Sequence, residues 1–510
     1  MIFSDKPWIG TSGPADRQRP SAGTVGDPDP LRWRSAMSSK PRALLAIDMQ
    51  NDFLEAGGGF SKQHRDPREL AETLGWVVSA ARQQGDRIVW ITSTYAGAPE
   101  ALRGQTHTGG PCCVAGSWGA ALYGPVARLP EPHDVQIDKH WYSAFRDTEL
   151  HARLVAAGTT ELLLAGVATH GSVRATAEEA HRLGYAVTVL ADVTTAGTLG
   201  KHERALHELA AAGIPSRSWA DIFGAGRFEL GGLGEGTTLV CGALDGCVDA
   251  TTYEALEAEV AWSAMHHRGG VVPRLVALQG ERSAEGALPL YRHPADEQPA
   301  LRPWTPTVDR IRRAVEAHVG HPMNHALIQL YRHGKDWISE HSDKTLDLVR
   351  PSFIVNVSLG QRRTMLLRPK RKDGDAAIQR IPLVHGSLLR MDLETNRRWF
   401  HGIKQEADRQ PRISLTLRQI GTWWNPSTGA VWGVGAPSAR RAEAELRAQA
   451  RAARPPAVRD LEDRAEAEQM LQLFRDENVD PGFDAAAYRP GFEVRDLQLL
   501  NASAVTGRAP

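Results

Sequence analysis

The spacing of apolar residues changes partway along the chain, and this change restricts the possible folds more than any other feature. Between residues 42 and 222, short apolar runs such as 43–47 alternate with stretches of helical spacing such as 70–83. Strands that alternate with helices predict a parallel sheet covered by helices on both faces, a three-layer α/β domain. From 326 to 420 the runs are short, apolar or β-branched and separated by turn residues, which predicts an all-β barrel or jelly roll.

The chain has 510 residues, too many for one ordinary core, so more than one domain is expected. A glycine-rich stretch at 224–236 separates the two patterns and predicts a boundary. The expected segments are a disordered extension (1–40), an α/β domain (41–225), a linker with the lid or N-terminal part of the second domain (226–320), a β core (321–425) and a helical, partly disordered tail (426–510). We expect one helix at 253–265 and solvated helices within 437–475.

Composition restricts the compartment and the partners. The four cysteines are too few for a disulfide framework, which favours a reducing compartment, the cytoplasm or the nucleus. No apolar run reaches the ~18–20 residues of a membrane span, so we expect a soluble protein without a membrane partner. The formal net charge is zero, but residues 301–420 contain 22 Lys and Arg against 12 Asp and Glu. This basic segment could attract a polyanion.

A His-x-Asp pair in the second half is a candidate metal site. His341 and Asp343 are two residues apart, so on an extended strand their side chains share a face. His401, from a distant strand, supplies a third ligand. Two imidazoles and one carboxylate on one face of an octahedron are typical of non-haem Fe(II) oxygenases. The pair is a weak signal by itself, because a chain with 19 histidines produces it by chance.

The segment 412–418 alternates strictly between polar and apolar residues. Arg412, Ser414, Thr416 and Arg418 are expected to face one side of a strand. Two arginines that point into a barrel are costly unless anions pair with them. A dicarboxylate is a natural partner, because a guanidinium binds a carboxylate through two parallel hydrogen bonds. The alternative is an edge strand with a solvated arginine face.

In these motifs the second half resembles the AlkB-like Fe(II)/2-oxoglutarate-dependent dioxygenases, over roughly residues 239–420. The resemblance implies a double-stranded β-helix that uses Fe(II), 2-oxoglutarate and O₂ to demethylate alkylated DNA or RNA bases, with release of formaldehyde. It implies that Arg412, assisted by Tyr331, holds the distal carboxylate of 2-oxoglutarate, and that Arg418 lies near the iron. Gln329 departs from the family, in which many members have Asn. The residues expected to hold the base are Trp262, Arg268, Arg274, Tyr291, Arg292 and His293.

The first half, residues 42–222, resembles the isochorismatase-like cysteine hydrolases. The match includes Asp48, Lys139 and the turn at 166–177. The resemblance implies an aspartate base and a lysine beside a cysteine at a helix N-terminus. It also implies an oxyanion hole formed by the preceding turn, often through a cis bond, here Val167–Ala168 by position.

Ser172 stands where the nucleophilic cysteine of this family belongs. A serine hydroxyl needs a base to take its proton, and Asp48, with a reference pKa of ~4, is poorly matched to that task. We therefore expect a degenerate hydrolase domain that keeps a small-molecule pocket or acts only as a structural partner. Cys112 or Cys113, in a glycine-punctuated loop, is a less favoured substitute nucleophile.

Three functions remain open after these observations. The first is an oxygenase that demethylates nucleic acid and is fused to a degenerate hydrolase domain. The second is an oxygenase that acts on protein or a small molecule. The third is a bifunctional or hydrolase-only enzyme whose second half is a binding module. The complete set of His341, Asp343, His401, Arg412 and Arg418 disfavours the third, and the basic segment favours the first.

Overall fold

A computed structural model of the chain describes residues 41–94, 112–223, 228–234, 236–244, 246–249, 251–267, 270–294, 299–371, 377–407, 410–495 and 497. The expected disordered extension at 1–40 and the candidate base-binding Arg268 lie outside the described residues.

The first domain is built on a parallel sheet. Its strands are β1 (Arg42–Ile47), β2 (Arg87–Ser93), β3 (Val135–Lys139), β4 (Glu161–Val167), β5 (Ala186–Thr195) and β6 (Ser216–Arg217). Its helices are α1 (Asn51–Leu54), α2 (Pro67–Gln83), α3 (Leu150–Ala156), α4 (Arg174–Arg182), α5 (Leu199–Ala211) and α6 (Trp219–Phe223). The strand order is β3-β2-β1-β4-β5-β6.

Helices cover both faces of this sheet, as predicted. Alternate residues of β1 enter different cores: Leu44 and Ala46 pack with α2 and α6, whereas Leu45 and Ile47 pack with α3, α4 and α5. The strand order reverses between β1 and β4, and in open α/β sheets the crevice at such a point binds ligands at the carboxyl ends of the strands.

The second domain is built mainly from antiparallel sheets. Its strands are β7 (Phe228–Leu233), β8 (Thr237–Cys241), β9 (Ser263–His267), β10 (Gly270–Gly280), β11 (Leu288–Pro289), β12 (Leu301–Arg302), β13 (His325–Tyr331), β14 (Ile338–His341), β15 (Phe353–Gly360), β16 (Arg363–Pro369), β17 (Gln379–Leu383), β18 (Ser387–Asp392), β19 (Trp399–Ile403), β20 (Arg412–Arg418), β21 (Thr422–Trp424) and β22 (Val431–Gly433). Its helices are α7 (Thr252–Glu259), α8 (Pro306–Val319), α9 (Leu393–Arg398), α10 (Arg441–Ala452) and α11 (Pro456–Val479).

Two of these sheets enclose a chamber. The larger has the order β12-β10-β13-β20-β15-β18-β8-β7, with β9 paired to β10, and the smaller has the order β14-β19-β16-β17. Side chains of both sheets line the space between them. This arrangement confirms the predicted jelly roll. The strict alternation of β20 is also confirmed, because Arg412 and Arg418 face the chamber while Ile413, Leu415 and Leu417 face the core behind it.

One sequence prediction about a helix is wrong and a second is incomplete. The expected helix at 253–265 ends at Glu259, and Ser263–His267 instead forms β9, because the neighbouring strand β10 provides hydrogen-bond partners that outweigh local helix propensity. Helix α11 is not merely solvated. Its residues Ala467, Met470 and Phe474 recur at helical spacing and pack on Leu346.

The two domains contact each other through α2. Glu72 and Arg380 form an ion pair at 3.2 Å, and the Gln83 side chain exchanges two hydrogen bonds with the backbone of Glu229, at 2.7 and 2.8 Å. One apolar cluster continues from α2 into the second domain. Within the described residues, no helix is both long and apolar enough to cross a bilayer.

Candidate functional site

Antiparallel pairing brings the three proposed metal ligands together. In the register of β14 and β19, His341 lies opposite His401, and their ring centroids are 4.5 Å apart. Asp343 follows two residues after His341. One ligand atom from each of the three residues lies within 4.8 Å of the others. Residues separated by about sixty positions in sequence thus form one cluster, and the chemistry of the donor set suits Fe(II).

The protonation states of the cluster suit a metal ion. Burial lowers the pKa of His341 and lowers the pKa of His401 to about 3, so both imidazoles are neutral. Burial alone would raise the pKa of Asp343, but the Arg418 guanidinium, which also donates a hydrogen bond to it, holds it below its ordinary value. Neutral histidines and an ionised carboxylate are the forms that bind metals.

Neighbouring groups orient these ligands. His341 Nδ1 lies 2.8 Å from the carbonyl oxygen of Ser339, which leaves Nε2 for an ion. His401 Nδ1 is buried and has no hydrogen-bond partner within the described part of the chain. Asn396 exchanges two hydrogen bonds of 2.9 Å with the backbone of Asp343, and Arg418 donates to Asp343 Oδ2 at 2.8 Å. The site therefore has an orphaned nitrogen and a firmly held carboxylate, and both fit a bound cation.

Arg412 lies in the same chamber with part of its guanidinium unused. In the register of β13 and β20 it lies opposite Tyr331, and its Cζ is 5.2 Å from the Tyr331 ring centroid. Nη2 donates to Asn356 at 3.2 Å and to Ser358 at 2.7 Å. Nε and Nη1 are buried and have no partner among the described residues. Burial lowers the pKa of Arg412 to about 10, so it remains a cation at neutral pH. A carboxylate of 2-oxoglutarate fits these free donors.

In the first domain, the carboxyl ends of three parallel strands bring the candidate hydrolase residues together. Asp48 follows β1, Lys139 ends β3, and Ser172 lies in the turn after β4. Lys139 Nζ donates to Asp48 Oδ2 at 2.9 Å and to Ser172 Oγ at 3.1 Å. The peptide bond Val167–Ala168 is cis, as expected from the resemblance.

Within the described residues, the hydrogen bonds of this cluster supply Ser172 Oγ with a donor. Lys139 is fully buried and ion-paired with Asp48, and a protonated ammonium cannot accept the proton of the hydroxyl to which it donates. Ser93 occupies the other oxygen of Asp48 at 2.8 Å. The geometry resembles a hydrolase site, but its network is suited to holding a neutral serine.

Of the two neighbouring cysteines, Cys113 is not a better nucleophile than Ser172. A hydrogen bond shared with the Cys112 thiol and burial both raise the pKa of the Cys113 thiol, which disfavours the reactive thiolate. Cys112 lines the same cavity as Ser172, and this cavity has a volume of about 730 Å³.

Both domains match families of known proteins. The isochorismatase domain family matches residues 42–221, and the 2OG-Fe(II) oxygenase superfamily matches residues 245–418. A protein of Arabidopsis thaliana described as a "probable inactive nicotinamidase" is 33% identical over 190 residues, 36% of this chain and 92% of that protein. The alkB homolog 3 dioxygenase of Bos taurus is 32% identical over 225 residues, 41% of this chain and 74% of that protein.

The chain therefore belongs to both families. The human DNA oxidative demethylase ALKBH2 is 38% identical over 125 residues, 23% of this chain and 48% of that protein. The chain thus spans about half the length of this relative. Membership of the 2OG-Fe(II) oxygenase superfamily implies Fe(II), 2-oxoglutarate and O₂ as cofactor and cosubstrates.

The candidate base-binding residues of the oxygenase domain separate into two groups. Arg274, Tyr291 and His293 line a mouth that opens beside the metal cluster. Arg292 does not, because it is buried in an ion pair with Asp347 at 2.6 Å. Trp262 packs against the barrel core, so its assignment to the mouth is also wrong.

The unusual Gln329 has a partner of its own in the oxygenase domain. When its amide oxygen faces Arg274, it accepts hydrogen bonds from Nε at 2.7 Å and Nη2 at 3.3 Å. Arg274 also donates to the carbonyl oxygen of Trp337 at 3.0 Å. Gln329 therefore anchors an arginine of the mouth.

Several residues that support the oxygenase site were missed in the sequence. Asn356 and Ser358 hold Arg412 and are polar residues in the otherwise apolar strand β15. Because they are two residues apart, they share a face of the strand, and this pattern could have indicated a polar site in the sequence. Asn396, which holds Asp343, lies in the short helix α9 and has no comparable pattern. Its role depends on tertiary contact alone.

Proposed function

We propose that the oxygenase domain removes N-methyl groups from alkylated bases of DNA or RNA. One observation carries the proposal: the His341, Asp343 and His401 cluster and the free donors of Arg412 line one chamber. The three ligands would hold Fe(II), and Arg412 with Tyr331 would hold the distal carboxylate of 2-oxoglutarate. When bound, these groups supply an oxidation by O₂ in which one oxygen atom enters succinate, CO₂ is released and the other atom hydroxylates the methyl carbon, which then leaves as formaldehyde.

In this reaction, the chain's own residues orient the groups that hold the metal and the cosubstrate, and they exclude water from the reacting centre. Arg418 keeps the Asp343 carboxylate ionised and fixes its angle. Asn356 and Ser358 hold Arg412 so that its unused donors face the chamber. Apolar walls, including Met365 and other aliphatic side chains, exclude water from the reacting centre.

Three observations favour nucleic acid as the substrate. The basic balance of residues 301–420 suits a polyanion. The mouth beside the cluster has a volume of about 580 Å³, and a base must leave its stack to enter such a site. The human relative is named a DNA oxidative demethylase. A reducing compartment, the cytoplasm or the nucleus, is part of the same proposal, since the four cysteines are free thiols.

The test is a screen of the 510-residue protein with Fe(II), 2-oxoglutarate and O₂ against methylated single-stranded DNA, RNA and peptide pools. We expect succinate and formaldehyde in equal amounts with a nucleic-acid pool, and neither with unmethylated controls. Turnover with methylated peptides alone would replace this proposal by a protein oxygenase. Absence of 2-oxoglutarate-dependent turnover with every pool would contradict it.

For the isochorismatase domain, we propose that it binds a small carbonyl compound without hydrolysing it. The favouring observation is that Lys139 donates to Ser172 Oγ, so the serine has a cation where it needs a base. A relative described as probably inactive agrees with this proposal. Nicotinamide is a suitable probe. We expect no ammonia release from the wild-type protein and a gain of activity in Ser172→Cys, because the thiol is far more acidic. Ammonia release that Ser172→Ala abolishes would refute the proposal.

A further inference from the structure

The C-terminal helix α11 forms one wall of the oxygenase mouth. This helix lies beyond residues 245–418, the part of the chain that matches the oxygenase superfamily. The mouth is nevertheless lined by its side chains together with His341 and Asp343. The side chains of α11 that line it are Leu471, Phe474, Arg475, Asn478 and Val479.

Hydrogen bonds fix this helix to the segment that follows β14 and contains Asp343. Asn478 Oδ1 accepts from the backbone nitrogen of Ser342 at 3.2 Å and from its hydroxyl at 3.3 Å. Glu477 Oε1 accepts from the backbone nitrogen of Thr345 at 3.0 Å and from its hydroxyl. These contacts lie on both sides of Asp343. The helix therefore has a defined position relative to the cluster, and so do the side chains that it presents to the mouth.

Arg475 differs from the other cations of the mouth. Arg274 and Lys344 are buried and donate to backbone carbonyls, and Arg418 is ion-paired with Asp343. Arg475 is exposed and, within the described part of the chain, makes no ion pair or hydrogen bond. An exposed guanidinium at the rim of a site that takes a nucleotide is suited to bind a phosphate through two parallel hydrogen bonds.

We propose that Arg475 binds a backbone phosphate next to the target nucleotide of a single-stranded nucleic acid, which makes α11 a determinant of substrate recognition. This inference rests on the proposed function of the oxygenase domain. A base that enters the mouth carries its own flanking phosphates to the rim, where Arg475 lies. The half-buried Leu471 and the exposed Val479 are then available for the sugar and the base.

The salt dependence of binding tests this contact. The 510-residue protein with Fe(II) and 2-oxoglutarate is kept anaerobic, so that no turnover occurs, and is titrated with a fluorescent single-stranded oligonucleotide of three nucleotides that contains one N-methylated base. Each lost phosphate contact lowers the slope of log Kd against log salt by about 0.7 for single strands. We expect that loss in Arg475→Ala, and a slope close to that of the wild type in Arg475→Lys.

Arg464→Ala is the matched control. Arg464 is an exposed arginine of the same helix, 11 residues earlier, and it does not line the mouth. It lies roughly 16 Å away along the helix axis, so an oligonucleotide of three nucleotides bound at the mouth is not expected to need it. The absorbance band of the Fe(II)–2-oxoglutarate complex, measured in each variant, reports an intact chamber.

The outcomes separate this inference from the proposed function. If wild-type protein demethylates the oligonucleotide but Arg475→Ala keeps the wild-type slope, the inference is wrong and the proposed function stands. An equal loss of slope in Arg464→Ala and Arg475→Ala would also overturn it, because general surface charge would then explain the binding. If wild-type protein neither binds nor oxidises any methylated oligonucleotide, both are wrong.

Discussion

The substitution Arg412→Lys tests the cosubstrate end of the chamber, because it keeps the positive charge and removes the guanidinium fork. In the structure, Nη2 of Arg412 is held by Asn356 and Ser358, whereas Nε and Nη1 are buried without a partner among the described residues. A lysine ammonium is a single point charge on a flexible stem. It cannot keep both anchors and also hold a carboxylate through two parallel bonds.

The expected loss follows from these contacts. A hydrogen bond to a charged group contributes about 1.5–3 kcal/mol, and a loss of one such bond corresponds to roughly a 10- to 150-fold weaker Kd for 2-oxoglutarate. Iron binding should be unchanged, because His341, Asp343 and His401 remain in place. The result should therefore be selective for the cosubstrate.

The assay is an anaerobic titration of the Fe(II) protein with 2-oxoglutarate, followed through the visible charge-transfer band of the complex. Arg390→Lys is the matched control. Arg390 lies on β18 between Leu389 and Met391, which line the chamber, and its own Cζ lies 4.9 Å from the ring centroid of Phe353. This control should bind 2-oxoglutarate as the wild type does.

Two results would refute the assignment of Arg412. One is a Kd for 2-oxoglutarate in Arg412→Lys within twofold of the wild-type value, since the fork would then be irrelevant. The other is a loss of iron binding as large as the loss of 2-oxoglutarate binding, since the substitution would then have damaged the chamber as a whole.

Asp343→Ala should abolish iron binding and turnover, because it removes both a ligand and the charge that neutralises the ion; one Fe(II) per chain retained in metal analysis would show that the ligand set is misassigned. Arg292→Ala should lower the free energy of unfolding by about 3–5 kcal/mol, because it leaves the carboxylate of Asp347 buried without its counter-charge. Chemical denaturation measures that loss, and a change below about 1 kcal/mol would contradict the estimate. Glu477→Ala should speed the release of iron to a chelator, because Glu477 holds Thr345 two residues beyond Asp343; an unchanged release rate would show that α11 does not support the metal strand.

Local patterns predicted the parts of the fold that depend on one element at a time. The alternation of 412–418 placed its two arginines on one face, because side chains along a strand point alternately to opposite sides. The apolar runs of the first domain predicted buried parallel strands for the same kind of reason. A pocket near Ser172 was expected from the resemblance of the first domain to the isochorismatase-like hydrolases, not from these local patterns.

Other features could not be predicted, because they depend on which elements meet. Residues 263–267 became a strand only because β10 lies beside them. Arg292 was expected at the mouth, but its burial depends on Asp347, which is distant in sequence. The apolar residues of α11 are widely spaced in an Ala- and charge-rich segment, so their packing on Leu346 gave little local signal.

The sequence by itself determined the two architectures and the residue types available for chemistry, including a serine at position 172. Only the tertiary structure decided which of these residues cooperate. The register of β14 and β19 places His401 against His341, and the register of β13 and β20 places Arg412 against Tyr331. The docking of α11 beside Asp343 adds Arg475 to the mouth. Strand register and helix docking are set by the packing of whole surfaces, and so no single segment of the sequence contains them.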